Sequence, residues 1–239
     1  MRVTHKIKPI IHQYFMGDHT LEQVDHHPYL GVELTSDMSW RKHIIQVAVK
    51  ANRTLGLLRR NLSCCDKATK STAYGALVRP LLEYCHTIWD PYQQTNKDTI
   101  DKVQRRAARF VFNDYSRHSS VSNMLGQLDW DSLETRRTRA RLQLVYKETH
   151  GLVPNNIRHL LKTQDQTSRP KTRQSAGNFI YTHVSANKNC YLRSLYPRTI
   201  PTWNVLPDHL RCAPTLQNFK DQLQTIDVDK LHKRPSSKN

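Results

Sequence analysis

Residues 103–115 read VQRRAARFVFNDY, and the period of this stretch decides the fold class. At about 100° per residue, Val103, Ala107, Phe110 and Val111 share one side of a helix, and Arg105, Arg106 and Arg109 fall on roughly the opposite side. One face wants a core and the other wants anions. A solvated helix face usually mixes signs, with acids and bases three or four residues apart. Here no acid lies between Lys102 and Phe112. Taken alone, the segment fits either a solvated face or a face that meets phosphate.

The same arrangement recurs upstream. Ser36, Asp37 and Ser39 are candidate caps for a helix that ends near Asn61. Trp40, Ile44, Val47, Ala51, Leu55 and Leu58 then form one apolar stripe, with Lys42, Arg53 and Arg60 on its reverse side. Six basic residues (Arg41, Lys42, Lys50, Arg53, Arg59, Arg60) and no acid occupy this span. Repetition favours a functional reading of both faces.

Further elements follow from the same signals. Asp66 opens a helical stretch through Tyr74, Leu77 and Val78, and Pro80 either kinks it or starts a new turn. Leu81, Leu82, Tyr84, Ile88 and Trp89 are most simply core, and Asp90-Pro91 ends that helix. Another helix runs from about Ser132 to His150 with Gly151 as its stop, and Arg136, Arg137, Arg139 and Arg141 crowd its first half. Arg137 shares a side with Leu133, Ala140 and Leu144, so at least one of these arginines must reach past apolar surface or meet an acid. Before the first long helix, Ile7–Phe15 and Tyr29–Leu34 read as the strands of a hairpin that needs a cover. Near the other end, KTQDQTSRPKTRQSAGN (162–178) reads as a linker or a basic loop. FIYTHV (179–184) reads as a short strand and SLYPRTIPTWNVLP (194–207) as a turn region. A last helix spans about Thr215–Thr225, before a basic tail expected to be disordered. The expected fold is mainly α, with an N-terminal β-hairpin, a helical bundle and a small mixed C-terminal region.

Composition narrows the function classes. The chain carries 37 Lys and Arg against 20 acids, a formal net charge of +17, which points to a polyanionic partner. No apolar run approaches the roughly 18 to 20 residues of a membrane span, and the first residues lack a secretory apolar stretch, so an intracellular, nuclear location is expected. The five cysteines include the adjacent Cys64-Cys65 pair with distant Cys85, Cys190 and Cys212, which is neither a disulfide framework nor a Cys-x-x-Cys site. The 13 histidines are scattered without zinc-ligand spacing, so no bound metal is expected.

Six segments in order, YLGVELTSDMSW, ANRTLGLLRRNL, LVRPLLEYCHTIWDPY, VQRRAARFVFNDYS, LDWDSLETRRTRARL and SLYPRTIPTWNVLP, resemble the carboxy-terminal part of reverse transcriptases from non-LTR, LINE-type retrotransposons, the jockey-like group in particular. The resemblance covers about residues 1–225. It implies a primer-grip hairpin over residues 1–36, with Tyr29, Leu30, Gly31 and Val32 at the grip. A helical thumb over 37–151 would follow, and the residues themselves then divide into a basic linker or loop over 152–178, a small C-terminal region over 179–225 and a disordered basic tail over 226–239. A thumb holds duplex without reading its sequence, so it needs Lys and Arg aimed at phosphates. That assigns nucleic-acid contact to Lys42, Lys50, Arg53, Arg59, Arg60, Arg105, Arg106, Arg109, Arg136 and Arg139. The expected partners are RNA–DNA hybrid or DNA duplex, element RNA and a polymerase palm, with neither membrane nor small-molecule substrate.

The resemblance also implies an absence. Such polymerases hold Mg²⁺ on palm carboxylates that include two adjacent aspartates, and no Asp-Asp pair occurs in this sequence. No endonuclease segment is recognisable either. Read this way, the chain is a non-catalytic polymerase fragment without a cofactor of its own. The competing reading is a degenerate or domesticated relic that serves as a structural or protein-interaction helical domain.

Overall fold

The computed structural model describes residues 1–3, 12–154, 161, 179–183 and 187–231. These are mainly helical and divide into two units, residues 1–130 and 131–239.

The described residues of the first unit form two short hairpins ahead of the first long helix. Strands β1 (Phe15–Met16) and β2 (His19–Thr20) pair across Gly17, and β3 (His26–Tyr29) pairs antiparallel with β4 (Val32–Thr35). The expected partner strand, Ile7–Phe15, lies largely outside the described residues. What pairs β4 with its immediate neighbour is a two-residue turn, Leu30-Gly31, in which both residues have positive φ (47° and 79°). That is the geometry of a type I′ turn, whose twist matches the flanking strands. Gly31 is required twice over: its φ is left-handed, and a Cβ there would meet the Tyr84 ring at 3.2 Å.

Helix α1 (Arg41–Asn61) follows. Asp37 does not cap it. The Asp37 carboxylate instead accepts from Thr35 Oγ1 (2.6 Å) and Ser39 N (3.0 Å), shaping the turn that leads in. Ile44, Ala51, Leu55 and Leu58 of the stripe are buried, while Trp40 and Val47 are half-buried. Helix α2 (Lys67–Ala73) is capped by Asp66, which accepts from Thr69 N (3.3 Å), and runs through a π-helical turn, Tyr74–Val78, into α3 (Arg79–Glu83). Pro80 sits in the first turn of α3, where its missing N–H removes no intrahelical bond. After Tyr84, the left-handed Cys85 (φ 51°) starts the short α4 (His86–Trp89) on a new phase. Of the five residues expected in the core here, Leu82 and Trp89 are buried, Leu81 is half-buried, and Tyr84 and Ile88 are exposed. The break at Cys85 is the reason, because a continuous helix would have kept all five on one stripe.

Helix α5 (Gln94–Phe112) buries Ile100, Val103, Ala107, Phe110 and Val111 and packs on α1, α2 and α6 (Val121–Gln127). Each fully buried large apolar side chain of this kind stabilises by about 1.5–3 kcal/mol relative to exposure.

The second unit is organised by α7 (Leu133–Thr149), capped by Ser132, whose hydroxyl accepts from Thr135 N (3.0 Å), and stopped by Gly151 (φ 68°). Its Leu142, Val145 and Tyr146 join Ile200 and Trp203 of α9 (Leu195–Val205) and Phe219 and Leu223 of α11 (Leu216–Thr225) in one core. Three short helices, α8 (Asn189–Leu192), α10 (Asp208–Arg211) and α12 (Val228–Leu231), complete it. Thus α7, placed with the thumb by resemblance, shares its core with the C-terminal residues.

Residues 194–207, expected as turns, contain helix α9. Pro197 falls in the first turn, where backbone N–H groups have no intrahelical acceptor. Pro201 gives up one internal bond, and burial of Pro197, Thr199, Ile200, Thr202 and Trp203 offsets it. In the expected strand at 179–184 only Tyr181 makes a bridge among the described residues. Residues 162–178 and most of the basic tail lie outside the described residues. All five cysteines are free. Among the described residues no helix is long and apolar enough to cross a membrane.

Candidate nucleic-acid interface

Two helices of the first unit carry the site. Burial of His43, Ile44, Ala48, Ala51, Leu55 and Leu58 turns the opposite side of α1 to solvent, and that side carries Lys50, Arg53 and Arg60, all exposed. Burial of Ile100, Val103, Ala107 and Val111 does the same for α5, exposing Lys102, Arg105 and Arg106.

Side-chain contacts join the two faces. Arg106 Nη1 donates to Asn52 Oδ1 across 3.0 Å, from α5 to α1. The Arg59 guanidinium, near the end of α1, lies 5.0 Å from the ring centroid of Tyr115, just beyond the end of α5. The basic sides of α1 and α5 therefore form one surface; the α1 span contains no acid, and on α5 Asp98 and Asp101 lie in the first half of the helix, ahead of the arginines.

The structure sorts the sequence-predicted contacts by what already occupies them. Arg53, Arg60 and Arg105 are exposed and engaged by no hydrogen bond or ion pair among the described residues, as is Lys50. Arg59 and Arg106 are exposed but oriented by Tyr115 and Asn52. Arg109 is half-buried, and its Nη1 donates to Ser116 O across 2.6 Å, bracing the loop after α5. Lys42 is held at 3.1 Å from the Glu33 carboxylate of β4.

Of the grip-like residues only Leu30 and Gly31 leave the expected strand, while Tyr29 ends β3 and Val32 begins β4. Leu30 and Gly31 form the turn, Tyr29 and Val32 close it, and Tyr84 Oη donates to Leu30 O across 2.9 Å. The hairpin has cover within its own unit: Val32 is buried, and Glu33 N donates to His43 Nδ1 of α1 at 3.2 Å. Burial outweighs the attraction of Glu33 and holds the His43 imidazole below the ordinary histidine range. Tyr29 and Leu30 remain exposed.

The cluster on α7 is largely scaffold. The Arg139 guanidinium lies 2.5 Å from Asp131 and also donates to Gln224 O, which removes it from the exposed set. Arg137 and Arg141 are 2 % and 1 % exposed, and Arg141 Nη2 donates to Thr138 Oγ1 at 3.1 Å. Burial, with added repulsion from Arg198, pulls Arg141 down to about 9. Burial likewise lowers Arg198 to about 10, against the opposing pull of Glu134. Arg136 is half-buried and carries an interaction of its own, so α7 presents no face comparable to α1 and α5.

Sequence reasoning missed two contributors. Lys67 of α2 lies 4.4 Å from the Phe112 ring centroid, and Tyr115 partners Arg59. The alternation of basic and aromatic residues in RFVFNDYSR was the available signal. No group of three His, Cys, Asp or Glu side chains positioned to hold a metal occurs among the described residues.

No protein-family model, curated protein or solved structure matches this chain. The geometry of the α1 and α5 surface therefore carries the functional argument, together with the sequence resemblance.

Proposed function

We propose that the first unit binds nucleic-acid duplex through phosphate contacts along the joined basic faces of α1 and α5. This is the task of the thumb in a LINE-type reverse transcriptase. The observation that carries the reading is the Arg106–Asn52 bond, which joins the acid-free α1 to the arginine-bearing second half of α5 in a single basic surface. Exposed guanidiniums on rigid helices suit a ligand whose phosphates repeat regularly and whose sequence goes unread. The natural ligand in this reading is RNA–DNA hybrid or DNA duplex in the nucleus, with element RNA as template. Chemistry would belong to palm carboxylates that this sequence does not contain.

The test is direct. The purified chain is titrated with an RNA–DNA hybrid and with DNA duplexes of unrelated sequence over a range of salt. The expected result is similar affinity for all sequences and a linear fall of log K with log salt. A relic acting as a structural or protein-interaction domain would show no such salt-dependent binding.

A further inference from the structure

The residue left unexplained by a purely phosphate-holding surface is Tyr115. The residue is 48 % exposed, so it adds little to the core, yet the loop that carries it is closely hydrogen-bonded. Asn113 ends α5 in the left-handed conformation (φ 53°), and Asp114 N donates to Arg109 O at 3.1 Å. On the other side of Tyr115, Ser116 O accepts from Arg109 Nη1 at 2.6 Å, and Ser116 N donates to Asp114 Oδ1 at 2.9 Å. Arg109 thus anchors the chain on both sides of the ring.

The ring itself is backed by a cation. The Arg59 guanidinium lies over the ring, 5.0 Å from its centroid, and the residue still remains about half exposed. Exposed Arg117 and His118 follow in the same loop. The nearby acid, Asp114, is occupied by the Ser116 N–H, and its carboxyl is held below the usual range by hydrogen bonds from Ser119 and Ser116 with help from Arg109.

We infer that Tyr115 is a stacking platform for an unpaired base, so that the α1 and α5 surface recognises duplex flanked by single strand rather than uninterrupted duplex. The inference rests on the proposed duplex-binding function and deepens it. A flat ring that is already immobilised loses little further freedom on binding, and every base offers a π-face, so such a platform is tolerant of sequence. The neighbouring cations attract the strand's phosphates, and the Arg59 guanidinium over the ring adds a cation–π contribution.

The experiment compares the intact chain with its Tyr115→Leu, Tyr115→Phe and Arg53/Arg60/Arg105→Gln variants on two probes. One is a blunt DNA duplex, and the other is the same duplex with a short single-stranded overhang carrying 2-aminopurine. The wild type should bind the tailed probe more tightly and quench its fluorescence. Tyr115→Leu should lose on the order of 10-fold on the tailed probe and lose the quench, with a clearly smaller loss on the blunt probe through the released Arg59, whereas Tyr115→Phe should behave as wild type. Melting temperature is read for each variant, and Tyr115→Phe keeps the test informative should Leu perturb the loop. Equal wild-type affinity for the two probes overturns the stacking inference, and so does a Tyr115→Leu loss shared equally between them. If blunt binding weakens in the triple variant while Tyr115→Leu changes nothing, the platform falls and the duplex-binding function stands. If the wild type binds neither probe, both fall.

Discussion

Neutralising Arg53, Arg60 and Arg105 together to Gln should flatten the salt dependence of duplex binding without loss of stability. These three are chosen because the structure leaves their guanidiniums exposed on α1 and α5 without protein partners among the described residues. Each phosphate contact contributes a log-log slope of about 0.9 on B-form duplex, so removing three lowers the slope by up to about 2.7. Between about 50 and 200 mM salt, that difference corresponds to roughly 40-fold of salt sensitivity lost. The comparison set is Arg106 with Arg109. Their guanidiniums are tied to Asn52 and to the Ser116 carbonyl, so replacing them should lower the melting temperature as well as affinity. Fluorescence anisotropy over a salt series, beside thermal melts of each variant, separates the two effects. A triple variant with an unchanged slope would refute the phosphate-facing assignment of this surface. A loss confined to one DNA sequence would refute it too, since phosphate contacts carry no direct base information.

Three further outcomes test the architecture beneath the surface. Ile44→Ala, at a fully buried position of α1, should cost about 3 kcal/mol in denaturant unfolding, and Trp40→Ala, on a half-buried ring, should cost less; the reverse order would mean that α1 packs differently. Because the folded state depresses His43 below its unfolded value of about 6.5, stability should be fullest above that pH and fall as pH drops below it. His43→Leu should flatten this acid slope relative to wild type, and identical slopes in pH-dependent unfolding would count against the Glu33–His43 contact. Tyr84→Phe removes the bond to Leu30 O, worth about 1 kcal/mol, and should raise amide exchange in β3 and β4 while α5 stays protected.

The sequence by itself determined the helical period, and with it the mainly α character and the two basic faces. In α5 the alternation of Val103, Ala107 and Val111 with Arg105 and Arg106 admits only one amphipathic arrangement, because 100° per residue separates the sets without conflict. Caps at Asp66, Ser132 and Thr215 were local signals of the same kind. Elements whose stability comes from elsewhere were not legible in this way. Helix α9 carries two prolines and a weak period, and it is helical because Ile200 and Trp203 are buried in a core shared with Tyr146 and Phe219, far away in sequence. The tight turn at Leu30-Gly31, closed from outside by Tyr84, was not legible either, since Tyr29–Leu34 read as one strand through it. Charge followed the same division. The sequence counted arginines, but only tertiary packing decided that Arg137 and Arg141 are buried, that Arg139 is held by Asp131, and that Arg53, Arg60 and Arg105 face solvent. A guanidinium's role depends on what lies within a few ångströms of its end, and a residue three or four positions away along a helix supplies only part of that surrounding.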